Sequence, residues 1–356
     1  TGAVVVNAGT LTVTDAETIG SLAGSGGTVQ MDDNLTTGGN NTSTSYGGVL
    51  AGTGTFEKTG SGTMTLTGTN TAVVAVTNAA TLNVDGTSLA DTAAVTLSNT
   101  AKMVQSGSET IGSLAGADGG TSVDLGAGTL TTGDATNTSF AGVISGTGGL
   151  TKQGAGTMTL TNAGNAFTGT AEVTAGTLAV TGLGKLATQS IVTSGSGGLT
   201  TDGGALNPLA AIVNNGSGGL TITGGNESVA TVNGSGSIAL ATGSLTLLNG
   251  ASSISGVISG SGTLTIGGGD VTLSAVNTNT GEVAVNLGSL TLTGTVGGAV
   301  NVNSAAALTV NGGTIAGVTT NNASTNVTVN GGTFTGGLLN RGAGVIAATG
   351  SVVGDI

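Results

Sequence analysis

The feature that most constrains this chain is its repetition of itself. The string ETIGSLAG begins at Glu17 and returns 92 residues later at Glu109, and a looser copy, ESVATVNGSGSIAL, begins at Glu227. A second block follows each: YGGVLAGTGTFEKTGSGTMTLTGTN from Tyr46, FAGVISGTGGLTKQGAGTMTLTNAGN from Phe140, and ISGVISGSGTLTIGGGDVTLSAVN from Ile254. A third block reads TGTAEVTAGTLAVTG from Thr168 and TGEVAVNLGSLTLTG from Thr280, with a degenerate copy, TAVVAVTNAATLNVDG, from Thr71. The opening TGAVVVNAGTLTV is that third block again, so the chain starts inside a unit. The spacing divides 1–356 into a partial repeat (1–16), repeat units 17–108, 109–226 and 227–294, and a stretch of short-period repeats over 295–356, all read as one continuous body. In that last stretch VNGGTIAG at Val310 and VNGGTFTG at Val329 lie 19 residues apart, and TGSVVG at Thr349 is a weaker return. A fixed period means that each layer covers its apolar face only by stacking on the next layer.

The local pattern inside the layers is that of strands. TMTLT at Thr63 and Thr157, TLAVT at Thr177, SLTLT at Ser289 and NVTVN at Asn326 alternate small polar with apolar residues. A period of two places the apolar set on one face and Thr and Ser on the other. Gly pairs and Asn-Gly steps, such as Asn233–Gly234 and Asn311–Gly312–Gly313, separate the strands and supply the positive φ of tight corners. No stretch carries a 3.6-residue apolar stripe. Composition agrees: glycine is 71 of 356 residues, aromatics are 1%, and the mean hydropathy of +0.36 with 6% charged residues is opposite to the signature of disorder. Narrow stacked layers are filled by Val, Ile, Leu and Ala, which accounts for the missing aromatics. The expectation is an all-β, single-stranded parallel β-helix, a solenoid of about 14–19 turns at about 19–25 residues per turn.

The same composition excludes whole classes of chemistry. With no Cys and no His there is no disulfide, no thiolate or imidazole metal site and no His-based triad. Five cations (Lys58, Lys102, Lys152, Lys185 and Arg341) against 17 acids give a net charge of −12, with no basic patch for nucleic acid. No run approaches the length of a membrane helix, no signal peptide opens the chain, and its last residues do not resemble a membrane-barrel strand, so membrane insertion by this segment is not expected. Both ends stop inside repeats, the mark of a piece cut from a longer repetitive polypeptide.

Few groups remain as candidates for a site. Asp32 and Asp33 are adjacent, and on a strand would point to opposite faces; Asp118, Asp124 and Asp134 fall in different turns. Neither set has the clustering that acid–base work on a glycan needs. GGTVQMDDN at Gly26 and GGTSVDLGAG at Gly119 miss the calcium nonapeptide order, which leaves room for a stray Ca2+ but not for an array. GTGTF at Gly52 lacks the GK[ST] of a phosphate loop, and the Asn137–Ser139 triplet is a chance glycosylation pattern in a Thr/Ser-rich chain. Lys58 and Lys152 recur at one unit position, where they are expected to point outward and blunt an exposed surface. No catalytic, cofactor-binding or metal-binding residue is assigned, and no cofactor is expected.

The segment from Gly142, GVISGTGGLTKQGAGTMTLTNAGNAFTGTAEVTAGTLAV, resembles the autotransporter-associated β-strand repeat. The family's Lys is met by Lys58 and Lys152 and is Ile266 in the third copy; its N-x-Y-T-G aromatic is Phe167 in the second copy only. The resemblance covers roughly residues 1–294. It implies a right-handed parallel β-helix in the passenger of a large secreted bacterial protein, with repeats that aid folding and export. The expected role is a non-enzymatic structural or adhesive rod at the outer-membrane cell surface, meeting a host or neighbouring cell. A self-assembling fibre or surface-layer subunit, joined end to end through terminal β-turns, is the alternative, and a glycan-binding or glycan-degrading β-helix is a third.

Overall fold

The computed structural model describes residues 1–303, 305–324, 327–342 and 346–353. The expected strand at Asn326 thus begins, and TGSVVG at Thr349 ends, outside the described residues. No described residue is helical, and the strands are short, from 2 to 5 residues. The paired strands run parallel, each to the strand one turn on, at offsets from 17 residues (Val283 with Val300) to 21 (Thr81 with Lys102). The chain is a β-solenoid of about 18 turns.

The strands form where the alternation was read. In Thr63–Leu66, Met64 and Leu66 are fully buried while Thr63 and Thr65 are half-buried on the outer face. Met64 stacks on Leu82 and Leu82 on Met103 from one turn to the next. Burying each such side chain contributes about 1.5–3 kcal/mol, and the ladder hydrogen bonds pair the backbone groups that burial would otherwise strand. Gly60 marks a corner only glycine can occupy: φ is +72° and a Cβ would lie 2.2 Å from Gly38 O on the turn before.

Two compact units make up the chain: Thr1–Glu172 with Gly176–Thr188, and Val173–Ala175 with Gln189–Ile356. In the first, one ladder runs through Glu17–Ile19, Leu35–Thr37, Thr55–Lys58, Val73–Val76, Ala94–Leu97 and Ser113–Ala115. A second runs through Thr44–Tyr46, Thr63–Leu66, Thr81–Val84, Lys102–Gln105, Ser122–Asp124 and Val143–Ser145. In the second unit the long ladders are Asn226–Val229 to Leu338–Asn340 and Ser252–Ile254 to Ile346–Ala348.

The repeated blocks are the places where the chain passes from one ladder to another. At the ETIGSLAG block of the second copy, Glu109–Ile111 opens a new ladder while Ser113–Ala115, beyond Gly112, closes an old one. The looser copy does the same: Asn226–Val229 opens and Thr231–Asn233 closes. The aromatic block repeats the manoeuvre, with Thr44–Tyr46, Thr138–Phe140 and Ser252–Ile254 as the openers. The hinge of each handover is an isolated parallel bridge, Gly24 with Tyr46, Gly116 with Phe140 and Gly234 with Ile254. The glycine N–H donates to the carbonyl of the residue before its partner in all three (Ser45, Ser139 and Ser253, at 3.0–3.1 Å).

The repeat corners as the candidate functional site

The polar side chains that recur between units converge on these corners, inside the solenoid. Asparagine occupies the same place in each second block, at Asn70, Asn165 and Asn277, and is buried in all three. Its Oδ1 accepts from a main-chain N–H one turn back: Leu50 at 3.0 Å, Ile144 at 2.8 Å and Ile258 at 2.7 Å. Its Nδ2 donates to carbonyls. For Asn165 these are Asn162 O and Lys185 O, and for Asn70 they are Gly68 O and Ser88 O. One amide thus clamps successive turns where the strand ladder lapses and main-chain groups lack strand partners.

Glutamate does the equivalent work at the other block. Glu227 is wholly buried and accepts Ala205 N–H at Oε1 (3.0 Å) and Leu206 N–H at Oε2 (3.2 Å), on the turn before. Glu109 is buried in the same way and accepts Ser88 N–H at Oε2 (3.2 Å), but its Oε1 has no partner among the described residues. Burial raises the Glu109 carboxyl above its ordinary range, against the opposing pull of the Leu89 and Ser88 amides. Glu17, in the first copy, pairs with Leu35 one turn on and is exposed.

Lys58 and Lys152 correct the expectation of outward lysines. Both are buried, at 1% exposure. Each ends a strand whose apolar residues face in, Phe56 with Lys58 and Leu150 with Lys152, and parity sends the lysine inward with them. Lys58 Nζ then turns across Gly38 to donate to Thr59 O, and Lys152 Nζ donates to Gln153 O and Gly154 O at 2.6 and 2.9 Å. Desolvation lowers both ammonium pKa values; at Lys152 the charge of Asp134 opposes it. The third copy places Ile266, also buried, at this position.

The acids considered for chemistry are each engaged at their own corner. Asp32 and Asp33 follow a strand rather than lie on one, and Asp32 accepts from Gln30 Nε2 while Asp33 accepts from Asn34 N–H. Asp118 accepts Asn99 N–H, Asp124 pairs with Lys102 at 3.5 Å, and Asp134 accepts Thr136 N–H and Oγ1, which hold its carboxyl below the usual range. Among the described residues no three acids gather in a way that could hold a metal ion.

Residues 56–84 and 150–180 match the passenger-associated-transport-repeat family. Each of the two matched segments spans a buried lysine, the TMTL strand, the asparagine clamp and the next inward strand. No curated protein and no solved structure matches the chain. The repeat and the parallel solenoid together fit the passenger domain of an autotransporter, and the repeat family implies secretion to the cell surface.

Proposed function

We propose that this chain is a non-enzymatic structural element of a cell-surface passenger, with repeats that hold successive turns together as the solenoid forms outside the cell. One observation carries this reading: the asparagine shared by all three units is buried and bonded to main chain one turn back. A side chain kept for catalysis or for a ligand would face a cleft; this one is consumed by its own neighbours. A binding role toward another cell would then belong to outer-face residues, and the repeated corners would serve length and durability.

Limited proteolysis tests the proposal. Trypsin cuts after Lys and Arg, and of the five such residues Lys58 and Lys152 are buried while Lys185 and Arg341 are exposed and Lys102 is half-exposed. The purified chain is expected to give a β-sheet circular dichroism spectrum and to resist cleavage after Lys58 and Lys152. Early cutting at those two positions with a random-coil spectrum would remove the structural reading. Turnover on a polysaccharide panel that disappears on substitution of Asp118 or Asp134 would replace it with an enzymatic one.

A further inference from the structure

Five asparagine–glycine steps occur in the sequence, Asn215–Gly216, Asn233–Gly234, Asn249–Gly250, Asn311–Gly312 and Asn330–Gly331, all in the second compact unit. Such a step is chemically labile. The glycine nitrogen, on losing its proton, attacks the asparagine Cγ. The new C–N bond closes a five-membered succinimide and the side-chain nitrogen leaves as ammonia. Water then opens the ring at either carbonyl, giving aspartate or isoaspartate. No oxidant or cofactor takes part. The reaction needs a glycine N–H free to ionise and an asparagine side chain free to swing onto it, so the hydrogen bonds of a fold suppress it.

The structure holds three of the five steps at both groups and a fourth at its side chain alone. Gly216 N–H donates to Thr193 Oγ1 (3.1 Å) and Asn215 Oδ1 accepts Ser235 N–H (3.2 Å). Gly234 N–H donates to Ser253 O (3.0 Å) and Asn233 Oδ1 accepts Ser253 N–H (2.8 Å). Gly312 N–H donates to Asn330 O (2.9 Å) and Asn311 Oδ1 accepts Asn330 Nδ2 (2.8 Å). At Asn330 only the side chain is held, by that same bond from its Nδ2; the antiparallel bridge of Gly331 to Asn311 is made through Gly312 N–H, and Gly331 N–H has no acceptor among the described residues. At the fifth step both residues are exposed, and among the described residues neither the Asn249 side chain nor Gly250 N–H has a hydrogen-bond partner. Asn249 is fixed only through its own main-chain N–H, which donates to Ala230 O at 3.2 Å.

We propose that Asn249 is a self-modification site, converted through attack by Gly250 N to aspartate and isoaspartate while the folded solenoid keeps the other four asparagines as amides. The product adds a carboxylate to an exposed corner. In the isoaspartyl form the main chain also gains a methylene beneath Gly269, a close contact: a Cβ at Gly269 would lie 1.9 Å from Gly250 O. Chemical ageing would thus mark one corner of the second unit.

The test incubates the purified chain at mildly alkaline pH, folded and in denaturant, then maps amide-to-acid conversion by mass spectrometry of thermolysin peptides. In the folded chain Asn249 is expected to convert about tenfold or more faster than Asn215, Asn233 or Asn311, the factor expected for opening even one of their hydrogen bonds, with Asn330 ranking second. In denaturant the five rates are expected to converge. Asn249→Gln should abolish conversion at that position and leave the other four rates unchanged. A folded chain in which Asn249 converts no faster than the other steps would overturn the proposal, and so would the same ranking persisting in denaturant, which would place the selectivity in flanking residues instead of the fold.

Discussion

Lys58 lies in register with Thr37 on the adjacent turn, and both side chains point into the solenoid at 1% exposure. The second copy repeats the pair as Lys152 with Thr132. Among the described residues neither Thr37 Oγ1 nor Thr132 Oγ1 has a hydrogen-bond partner. The ammonium groups instead reach main-chain carbonyls just past the strand end. A charge is therefore carried into an apolar column, and its stem supplies the packing that Ile266 supplies in the third copy.

Removing that charge is expected to stabilise the chain. Lys58→Met keeps the length of the stem and discards the desolvated ammonium, for a gain of about 1–2 kcal/mol at pH 7. The sign of its pH dependence follows from the lowered pKa of Lys58. Below the folded pKa the lysine is charged in both the folded and unfolded chain and its burial penalty is complete. As pH rises from there toward the unfolded value of 10.5, the folded state is relieved and the wild type gains stability. Urea denaturation at pH 7 and pH 10 should show the advantage of the Met variant shrinking; an advantage that grew with pH would contradict the buried ammonium.

Gly38 is the opening through which Lys58 leaves the core. Its φ is +107°, and a Cβ there would stand 2.2 Å from Thr59 O and 2.6 Å from Lys58 Nζ. Gly38→Ala is expected to cost about 2–4 kcal/mol. Gly39→Ala is the control, because a Cβ at Gly39 meets nothing within 4 Å; its effect should stay within about 0.5 kcal/mol. Equal midpoints for the two variants in a denaturant titration would count against this corner geometry.

The inward lysine was legible in the sequence, through strand parity and not through charge. In TFEK the alternation that buries Phe56 also buries Lys58 and turns Glu57 outward, where it accepts from Thr36 and Thr77 hydroxyls. Ile266 at the same unit position points the same way. Charge argued for the surface, but parity is fixed by the backbone and wins when a glycine beside the stem lets the head reach a carbonyl. The strands and the glycine corners were equally legible, because each depends on residues within a few positions, and their stacking was legible from the repeat period. The ladder handovers at Glu109–Ala115 and Tyr46–Val49 were not. They depend on which strand pairs with which about 20 residues away, information carried by stacking. For the same reason the partners of Asn165 and Glu227 emerge only when the turns are laid on one another.

The asparagine clamp gives a local prediction. Asn165→Ala leaves Ile144 N–H buried with no acceptor, at a cost of about 1–3 kcal/mol. Asn165→Asp keeps the acceptor but turns an oxygen toward Asn162 O and Lys185 O, where the amide had donated, and should be at least as damaging. Hydrogen exchange separates these effects from global unfolding: protection of Ile144 N–H should fall by roughly tenfold to a hundredfold in the Ala variant and persist in the Asp variant. Unchanged protection in Asn165→Ala would show that another group serves that amide.

The two buried glutamates should respond oppositely to the same substitution. Glu227 uses both oxygens as acceptors of main-chain N–H groups, so Glu227→Gln sets an amide N–H against a donor and is expected to cost about 1–3 kcal/mol. Glu109 leaves Oε1 unpartnered, so Glu109→Gln can keep its oxygen on Ser88 N–H and place the new NH2 on the free side. Burial holds the Glu109 pKa above its ordinary value of 4.5, so the ionised carboxylate carries its full penalty above the folded pKa. The penalty fades as pH falls through that value toward 4.5 and below, where the wild type binds its proton in both states. Glu109→Gln should therefore match or exceed wild-type stability at pH 7 and lose that margin by pH 4. Denaturation curves at the two pH values decide the matter: a margin that widened toward acid would mean that Glu109 is stabilised as the anion, with both oxygens satisfied.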